Sequence, residues 1–377
     1  MKRLLLTAMA VLLLSVLTAW ASPLEDGVAA HNRGDYANAL RIYRSLAAQG
    51  NAQAQSGLGF MYFIGQGVNK DYAEALKWYH LAAAQGAAAA QFMIGSMYEE
   101  GQGVEKDYAE AVNWYQQAAI QGNAQGQFKL GMMYDDGRGV APDYAEAVKW
   151  YRLAAAQGEE AAQLKLGMMY EEGRGVTQDY AEAVTWLRLA AERGNAAAEF
   201  NLGLMYRKGR GVTQDDAEAH RWYRLGAAHG NVQAELDLGW MYERGQGVTQ
   251  NYAAALQWYR LAAVQGNAEA QFSVGRAYYN GQGVARDYNN ALYWYRLAAA
   301  QGDAMAQSSL GLMYAKGQGV EQDYVRAYMW FNLAAASGSA PALKNLDTVA
   351  KLVPAPLIER AQEMARVCQQ RKFRGCD

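Results

Sequence analysis

The sequence predicts an all-α protein, an α-solenoid of about ten antiparallel helix pairs. Three features recur at one interval of 36 residues and support this class: a tryptophan, an aspartate and a Gly-x-Gly segment. The tryptophans are Trp78, Trp114, Trp150, Trp186, Trp222, Trp258, Trp294 and Trp330. A fixed period without insertions is typical of stacked repeats, because each repeat must meet its neighbour at a set distance. We number the eight repeats from Asn51.

The first helix of each repeat, helix A, is bounded by a polar cap and a glycine. In repeat 1, Asn51 can cap a helix whose apolar residues recur at three- and four-residue spacing. Gly65 and Gly67 follow, and glycine supplies the left-handed conformation that commonly ends a helix. The pattern therefore predicts helix A from Ala52 to about Ile64.

The second helix, helix B, begins after the recurring aspartate. In repeat 1 this is Asp71, and Glu74 predicts a capping box, in which each side chain accepts a hydrogen bond from the other residue's backbone amide. Trp78 and Tyr79 lie on its apolar face, and Gly86 ends it. The equivalent aspartates are Asp35, Asp107, Asp143, Asp179, Asp215, Asp287 and Asp323, with Asn251 in the same place in repeat 6.

The first 21 residues have the features of a signal peptide. Met1-Lys2-Arg3 precedes an apolar stretch, and Ala19-Trp20-Ala21 is a typical cleavage sequence. We expect cleavage after Ala21 and an exported chain, either periplasmic or secreted. An uncleaved membrane anchor is the alternative, which the short apolar stretch disfavours.

The two cysteines, Cys368 and Cys376, lie close to the C-terminus. In an exported chain such a pair predicts a disulfide. A structural metal site is the alternative, but two thiolates supply too few ligands for it.

Composition argues against several classes of function. A net charge of −2 and a pI of about 6.2 give no broad basic surface for nucleic acid or an anionic membrane. Beyond the N-terminus, no apolar run is long enough to span a bilayer. The Gly-x-Gly segments lack the preceding strand and the Lys-Ser/Thr of a phosphate-binding loop.

We expect neither a metal site nor a catalytic centre. His31, His80, His220 and His229 show no paired spacing, and each is predicted to face solvent on its helix. The sequence contains no nucleophile-elbow or metalloprotease motif. These observations predict a protein without enzyme activity and without a cofactor.

The repeat, written A-x-A-Q-x-x-L-G-x-M-Y-x-x-G-x-G-V-x-x-D-Y-A-E-A-x-x-W-Y-x-x-A-A, resembles the Sel-one-like repeat family. The resemblance covers Asn51 to Gly338 and implies a right-handed superhelical solenoid related to tetratricopeptide repeats. Residues 22–50 resemble a plain tetratricopeptide pair and should cap the N-terminus, while 339–377 should form C-terminal capping helices with the disulfide. Some family members are β-lactamase-like, but those carry a disulfide in each repeat, and this chain has no cysteine there.

The resemblance also implies that helix A lines a concave surface on which extended protein or peptide ligands lie. Positions that vary between repeats are the candidates for binding, because packing accounts for the invariant ones. The predicted partner-binding residues are Lys129, Met132, Lys165, Met168, Trp240 and Arg276. Trp240 is the one tryptophan after the signal segment that lies outside the 36-residue interval. We expect Arg276, one repeat further on, to lie beside it, and Trp240 either anchors a partner or covers a neighbouring helix.

Charges at the end of helix A change sign along the chain. They are Glu99-Glu100, Asp135-Asp136 and Glu171-Glu172, followed by Arg207-Lys208 and Glu243-Arg244. Carboxylates at a helix C-terminus oppose the helix dipole, so we expect them to act in partner electrostatics rather than in helix stability.

Two functions remain open from the sequence. The first is a non-enzymatic scaffold or adaptor for protein–protein interaction in the bacterial envelope or outside the cell, acting in regulation, secretion-complex assembly or host contact. The second is a protein that binds peptidoglycan or another polysaccharide or processes the cell wall, including β-lactamase-like activity, with Trp240 as a stacking platform for sugar.

Overall fold

The computed structural model describes residues 22–373 and 375–376. Over these residues the chain forms twenty helices and no strand, which confirms the all-α prediction. Among the described helices, none is both long and apolar enough to cross a bilayer. The predicted signal peptide at 1–21 lies outside the described residues.

Helices A and B alternate along the chain. The N-terminal pair is α1 (Pro23–Asn32) and α2 (Tyr36–Ala48). Repeats 1 to 4 comprise α3 (Ala52–Ile64), α4 (Tyr72–Ala83), α5 (Ala88–Glu100), α6 (Tyr108–Ile120), α7 (Ala124–Asp136), α8 (Tyr144–Ala156), α9 (Glu160–Glu172) and α10 (Tyr180–Ala191). Repeats 5 to 8 comprise α11 (Ala196–Lys208), α12 (Asp216–Ala228), α13 (Val232–Arg244), α14 (Tyr252–Val264), α15 (Ala268–Asn280), α16 (Tyr288–Ala299), α17 (Ala304–Lys316) and α18 (Tyr324–Ala336). The C-terminal pair is α19 (Ala340–Ala350) and α20 (Ala355–Gln370).

The chain divides into two compact units. We call them the N-terminal unit, which ends at Gln178, and the C-terminal unit, which starts at Asp179. The N-terminal unit contains α1 to α9, and the C-terminal unit contains α10 to α20. Within each unit, consecutive helices from α1 to α9 and from α10 to α19 pack together, and α20 packs on α18.

The hydrophobic cores extend across the boundaries between repeats. In the N-terminal unit, Tyr115 of α6 packs with Leu130 of α7, and Trp150 of α8 covers this cluster. In the C-terminal unit, α12 and α13 share a core that Trp258 of α14 covers in the same way. Each repeat therefore depends on its neighbour for a buried apolar face, as in other repeat proteins.

The tyrosine that follows the periodic tryptophan is the more deeply buried residue of the two. Tyr115 and Tyr151 are fully enclosed, whereas Trp114 and Trp150 remain partly exposed. A glycine on helix A makes room for the ring, because a Cβ on Gly131 would lie 2.7 Å from carbon atoms of Tyr151. The tyrosine thus fixes the two helices within a repeat, and the tryptophan packs between repeats.

The capping aspartate closes the loop between helices A and B. Gly65, with φ of 78°, ends α3 in the left-handed conformation. The Asp71 side chain accepts a hydrogen bond from the Glu74 amide at 2.9 Å, and the Asp71 amide donates to the Tyr62 carbonyl at 2.9 Å. Because that amide is already used, Glu74 instead pairs with Lys77 at 2.7 Å. The predicted capping box is therefore wrong in its second half.

The second glycine of each loop contacts the preceding helix B. Gly139 has φ of 70°, and a Cβ at this position would lie 2.2 Å from the carbonyl oxygen of Tyr108. Gly211 is related in the same way to Tyr180, at 2.1 Å. The Gly-x-Gly segment therefore both turns the chain and lets the loop pack on the previous repeat.

The C-terminal pair covers the last repeat. The Ser339 side chain caps α19, and α20 begins after Pro354. Ala361 is fully buried in a core that it shares with repeat 8. The predicted disulfide joins Cys368 to Cys376.

Candidate functional site

The ends of helices A carry buried ion pairs between neighbouring repeats. Glu99, on the last turn of α5, is 4% exposed and accepts a hydrogen bond from the Tyr115 hydroxyl at 2.6 Å. Lys129 Nζ and Arg138 Nη1 of the next repeat lie 2.9 and 3.4 Å from its carboxylate. One carboxylate thus joins three donors from two repeats.

Asp135 forms the same network one repeat later. It accepts from the Tyr151 hydroxyl at 3.3 Å and pairs with Arg174 at 2.9 Å and with Lys165 at 3.6 Å. The tyrosine follows the acid by 16 residues and the arginine by 39 in both networks. The period of the repeat therefore generates the network.

In the C-terminal unit, the equivalent pair has its charges exchanged. Arg207 takes the place of Glu99, and its Nη1 donates to Asp237 Oδ1 at 3.2 Å. Asp237 takes the place of Lys129 and is 2% exposed. The pairing of neighbouring repeats is retained while its polarity is reversed.

In the next pair of repeats, the acid again lies at the end of the earlier helix A and the cation on the later one. Glu243 of α13 pairs with Arg276 of α15 at 2.7 Å and accepts a hydrogen bond from the Tyr259 hydroxyl. Here the cation comes from a position one helical turn further along helix A than Lys129.

The two polarities give different acid–base properties. Burial acts to raise the pKa of Glu99, but hydrogen bonds from Tyr115 and Lys129 outweigh it, so this pKa lies below its usual range. Burial raises the pKa of Asp237, and the charge of Arg207 offsets this only in part. Glu99 has several donors, whereas Asp237 relies mainly on one guanidinium.

Whether a buried tyrosine hydroxyl has a hydrogen-bond acceptor depends on the next-to-last residue of helix A. Where this residue is an acid, as at Glu99, the hydroxyl has an acceptor. Where it is Phe63 or Arg207, the hydroxyls of Tyr79 and Tyr223 are buried and have no hydrogen-bond partner among the described residues. The charge exchange in repeat 5 therefore leaves one polar group unsatisfied.

Three of the predicted partner-binding cations belong to these networks. Lys129, Lys165 and Arg276 each pair with an acid of the preceding repeat. Glu99 and Asp135 are buried, so the expectation that these two carboxylates act in partner electrostatics is wrong. Their hydrogen bonds and ion pairs compensate for the unfavourable helix dipole.

The last residue of helix A is exposed in every repeat. After Ile64, these residues are Glu100, Asp136 and Glu172 in the N-terminal unit and Lys208, Arg244, Asn280 and Lys316 in the C-terminal unit. Asp136 and Glu172 pair with arginines at 2.7 and 3.7 Å. Within the described chain, Lys208 and Arg244 form no ion pair, so the C-terminal unit presents uncompensated positive charge on this face.

Trp240 lies between repeats 5 and 6 in the C-terminal unit. It is partly exposed, packs against the core that contains Leu236, and lines a cavity of about 310 Å³. The other lining residues are Arg207, Gln214, Asp216, Arg244 and Gln246. Arg276, which we expected beside Trp240, does not line this cavity and is held by Glu243.

Comparison with protein families identifies the repeat. The sequence model of the Sel1 repeat family matches eight segments of the chain, 52–86, 88–123, 124–159, 160–195, 196–231, 232–267, 268–303 and 304–339. The chain belongs to the Sel1 repeat family. This membership confirms the resemblance drawn from the motif and the solenoid class that it implies.

Solved Sel1 repeat structures resemble this Sel1 repeat chain over most of its length. A Sel1 repeat protein from Oxalobacter formigenes is 36% identical, with 82% of this chain and 89% of that chain covered and a TM-score of 0.65. A protective antigen of uropathogenic Escherichia coli that displays an SLR fold is 35% identical, with 90% and 81% covered and a TM-score of 0.57. The comparison with curated proteins gave no match.

Three of the four histidines of this Sel1 repeat protein contact aromatic rings, so the prediction that all face solvent is wrong. His31 packs edge-on against Tyr36 and Phe60, His80 against Trp114, and His220 against Tyr242. Burial lowers the pKa of His80 and of His220. His229 is exposed and lies 2.8 Å from Glu199. In the part of the chain that is described, no three metal-ligating side chains come together.

Arg244 is the functional candidate that sequence reasoning missed. It lies four residues after Trp240 on the same Sel1 helix, a spacing that places both on one face. The spacing of Trp240 and Arg244 in the sequence was therefore enough to predict that they share a face. The contribution of Arg207 depends on how repeat 5 packs on repeat 6, which spacing along one helix does not show.

Proposed function

We propose that this chain is a non-enzymatic scaffold that binds a protein or peptide along its helix-A side. The single observation that carries the proposal is the Trp240 cavity, in which a partly exposed tryptophan lies beside two arginines in the C-terminal unit. Tryptophan and arginine are the residue types most enriched among the anchors of protein interfaces.

Trp240 has the surroundings of a binding anchor. One side of the indole packs against the core, which limits the entropy that the ring would lose on binding. Its other side faces a cavity of about 310 Å³, enough to receive a side chain of a partner. A residue needed only for packing would not have to border open space.

Exposed cations lie at the ends of helices A in the same unit as this anchor. Lys208 and Arg244 stand at the ends of α11 and α13, and Lys316 stands at the same place on α17. Charges at the rim of an interface contribute mainly to the association rate and to the choice of partner. We therefore propose an acidic segment as the preferred partner.

The N-terminal unit, taken by itself, offers a second candidate surface on its helices A. Met132 and Met168 are partly exposed there, and methionine adapts its shape to different apolar partners. Lys129 and Lys165 lie next to them on the same helices, with part of each side chain exposed beyond its ion pair. We propose that these four residues form a separate contact surface for a protein or peptide within the N-terminal unit.

We also propose that the protein acts after export, in the bacterial envelope or outside the cell. A disulfide between Cys368 and Cys376 is typical of oxidising compartments. The similar Escherichia coli protein is described as a protective antigen, which fits exposure to a host. Regulation, secretion-complex assembly and host contact all remain compatible with such an adaptor.

The proposal can be tested by capture from a cross-linked envelope extract. The bait is the chain from Ser22 onward, beside a Trp240→Ala/Arg244→Ala variant. The matched control is Gln257→Ala/Leu261→Ala, which changes exposed residues on helix B of the same repeat. We expect the first variant to capture at least tenfold less of one protein than the natural chain does, and the control to capture as much. That protein, once purified, should bind the bait directly.

Two results would contradict the proposal. Equal capture by both variants would exclude the Trp240 cavity as the binding site. Saturable binding to purified sacculi, lost in the Trp240→Ala/Arg244→Ala variant and with no protein captured, would instead establish the cell-wall-binding alternative.

A further inference from the structure

A second cavity, separate from the Trp240 cavity, lies at the C-terminal end of the chain. It measures about 370 Å³ and is bounded by α18 and α20. Its apolar lining comes from Met329, Met364 and Val367, and the Cys368–Cys376 disulfide forms part of the wall. The volume lies in the range of small-molecule sites.

Three arginines line this apolar space: Arg326, Arg360 and Arg371. In the described chain, neither Arg360 nor Arg371 forms an ion pair or a side-chain hydrogen bond. The one acid in the lining, Glu363, is already paired with Arg366. Among the described residues, the cavity therefore combines an apolar interior with arginines that no acid pairs with.

Arg326 also departs from the repeat in a way that helix stability does not explain. Its equivalents in five repeats are Glu74, Glu110, Glu146, Glu182 and Glu218, in the first turn of helix B. A carboxylate is favourable there because of the helix dipole, and a cation is unfavourable. The Asp323 carboxylate lies 3.6 Å from Arg326, a long ion pair on an exposed side chain that contributes little.

Repeat 8 contains a second departure from the repeat sequence, one helical turn after Arg326. Met329 takes the place held by Lys77 in repeat 1 and is 1% exposed, because α20 covers this face of α18. Arg326 and Met329 thus place a cation and an apolar side chain on the same cavity wall. Both substitutions are found where the capping helix creates the cavity.

We propose that this cavity binds a small anionic amphiphile, with the arginines holding the anionic headgroup and the methionine-lined interior taking an aliphatic chain. Guanidinium groups match the planar geometry of carboxylates and bind them through two parallel hydrogen bonds. Apolar burial of the chain supplies further affinity. The proposal is independent of the protein-binding function, because it concerns different residues.

The test uses decanoate as the probe and isothermal titration calorimetry on the full chain. We expect decanoate to bind with one site, and decanol and decyltrimethylammonium to bind at least tenfold more weakly. In an Arg360→Gln/Arg371→Gln variant the decanoate affinity should fall at least tenfold. The matched control, Lys344→Gln/Lys351→Gln, removes two exposed cations that do not line the cavity, and should keep the affinity within twofold.

Several results would overturn the proposal. They are the absence of decanoate binding at millimolar concentration, equal affinity for decanol, and equal loss of affinity in the Lys344→Gln/Lys351→Gln control. Binding of a leucine-terminated peptide with no binding of decanoate would assign the cavity to a peptide terminus instead. An unchanged thermal unfolding midpoint in each variant ensures that the affinities refer to the folded protein.

Discussion

Arg207 and Asp237 form an ion pair of 3.2 Å between two neighbouring repeats, with the charges exchanged relative to Glu99 and Lys129 at 2.9 Å. Both pairs join residues 30 positions apart at the same places in the repeat. Where both of these positions are charged, the charges are opposite, and either sign can occupy either position. Reversal has a cost, because the Tyr223 hydroxyl loses the acceptor that Glu99 provides to its counterpart.

This relationship predicts rescue by a second substitution. Arg207→Glu alone places two carboxylates together and should lower the free energy of unfolding by about 3 kcal/mol, as expected when a buried charge loses its partner. Adding Asp237→Lys recreates the Glu99–Lys129 arrangement and gives Tyr223 an acceptor, so most of the loss should be recovered. Urea unfolding measures the free energy of unfolding of the single and the double variant. Additive losses in the double variant would contradict the equivalence of the two pairs.

The tyrosine hydroxyls should differ in their contribution to stability. Tyr115→Phe removes a hydrogen bond to a buried carboxylate and should cost about 2 kcal/mol. Tyr223→Phe removes a buried hydroxyl without a partner among the described residues and should be neutral or stabilising. Equal losses for the two substitutions in urea unfolding would show that Tyr223 has a hydrogen-bond acceptor in solution.

Stability should respond to pH with opposite sign at the two acids. The pKa of Glu99 is lowered in the folded state, so its contribution is present above the usual glutamate pKa and is lost as pH falls through the folded value. The stability advantage of the natural chain over Glu99→Gln should therefore shrink on acidification. The pKa of Asp237 is raised, so the folded state takes up a proton first and is favoured as pH falls through that value.

Chemical unfolding of Glu99→Gln and Asp237→Asn between pH 7 and pH 3 checks this difference. As pH falls, the natural chain should gain stability relative to Asp237→Asn at pH values above the usual aspartate pKa. It should lose its advantage over Glu99→Gln at pH values below the usual glutamate pKa. Parallel changes for the two variants would contradict the assigned directions.

The two kinds of glycine should tolerate alanine differently. Gly122 has φ of 86°, and a Cβ added there would have no atom within 4 Å, so Gly122→Ala should cost only the left-handed strain, about 1 kcal/mol. At Gly139 a Cβ would also lie 2.2 Å from the Tyr108 carbonyl oxygen. Gly139→Ala should therefore cost clearly more in urea unfolding. A similar cost for both would show that the loop can move away from helix B.

Local features of the fold could be predicted from the sequence because they depend on neighbouring residues. Asn51 and Gly65 set the bounds of α3, and Asp71 caps α4. The capping box failed because the Asp71 amide bonds to Tyr62, nine residues earlier across the loop. That bond depends on how the two helices pack, which the local motif does not specify.

The candidate site was less predictable, because it depends on contacts between repeats. Trp240 stood out as an exception to the period, but its neighbours could not be assigned without the packing. Arg276, expected beside it, pairs with Glu243 of the same helix as Trp240 and does not line the Trp240 cavity. The charges at the ends of helices A looked like a surface feature because their partners lie about one repeat away in sequence.

Site-specific photo-cross-linking in living cells tests the central claim that the helix-A side of the C-terminal unit binds a protein. A photoreactive residue is placed at Arg244 on α13 or at Gln257 on α14, both exposed and in the same repeat. We predict a discrete cross-linked protein from position 244 that is lost on Trp240→Ala, and none from position 257. Cross-links from position 257 alone, or from 244 but unaffected by Trp240→Ala, would contradict it.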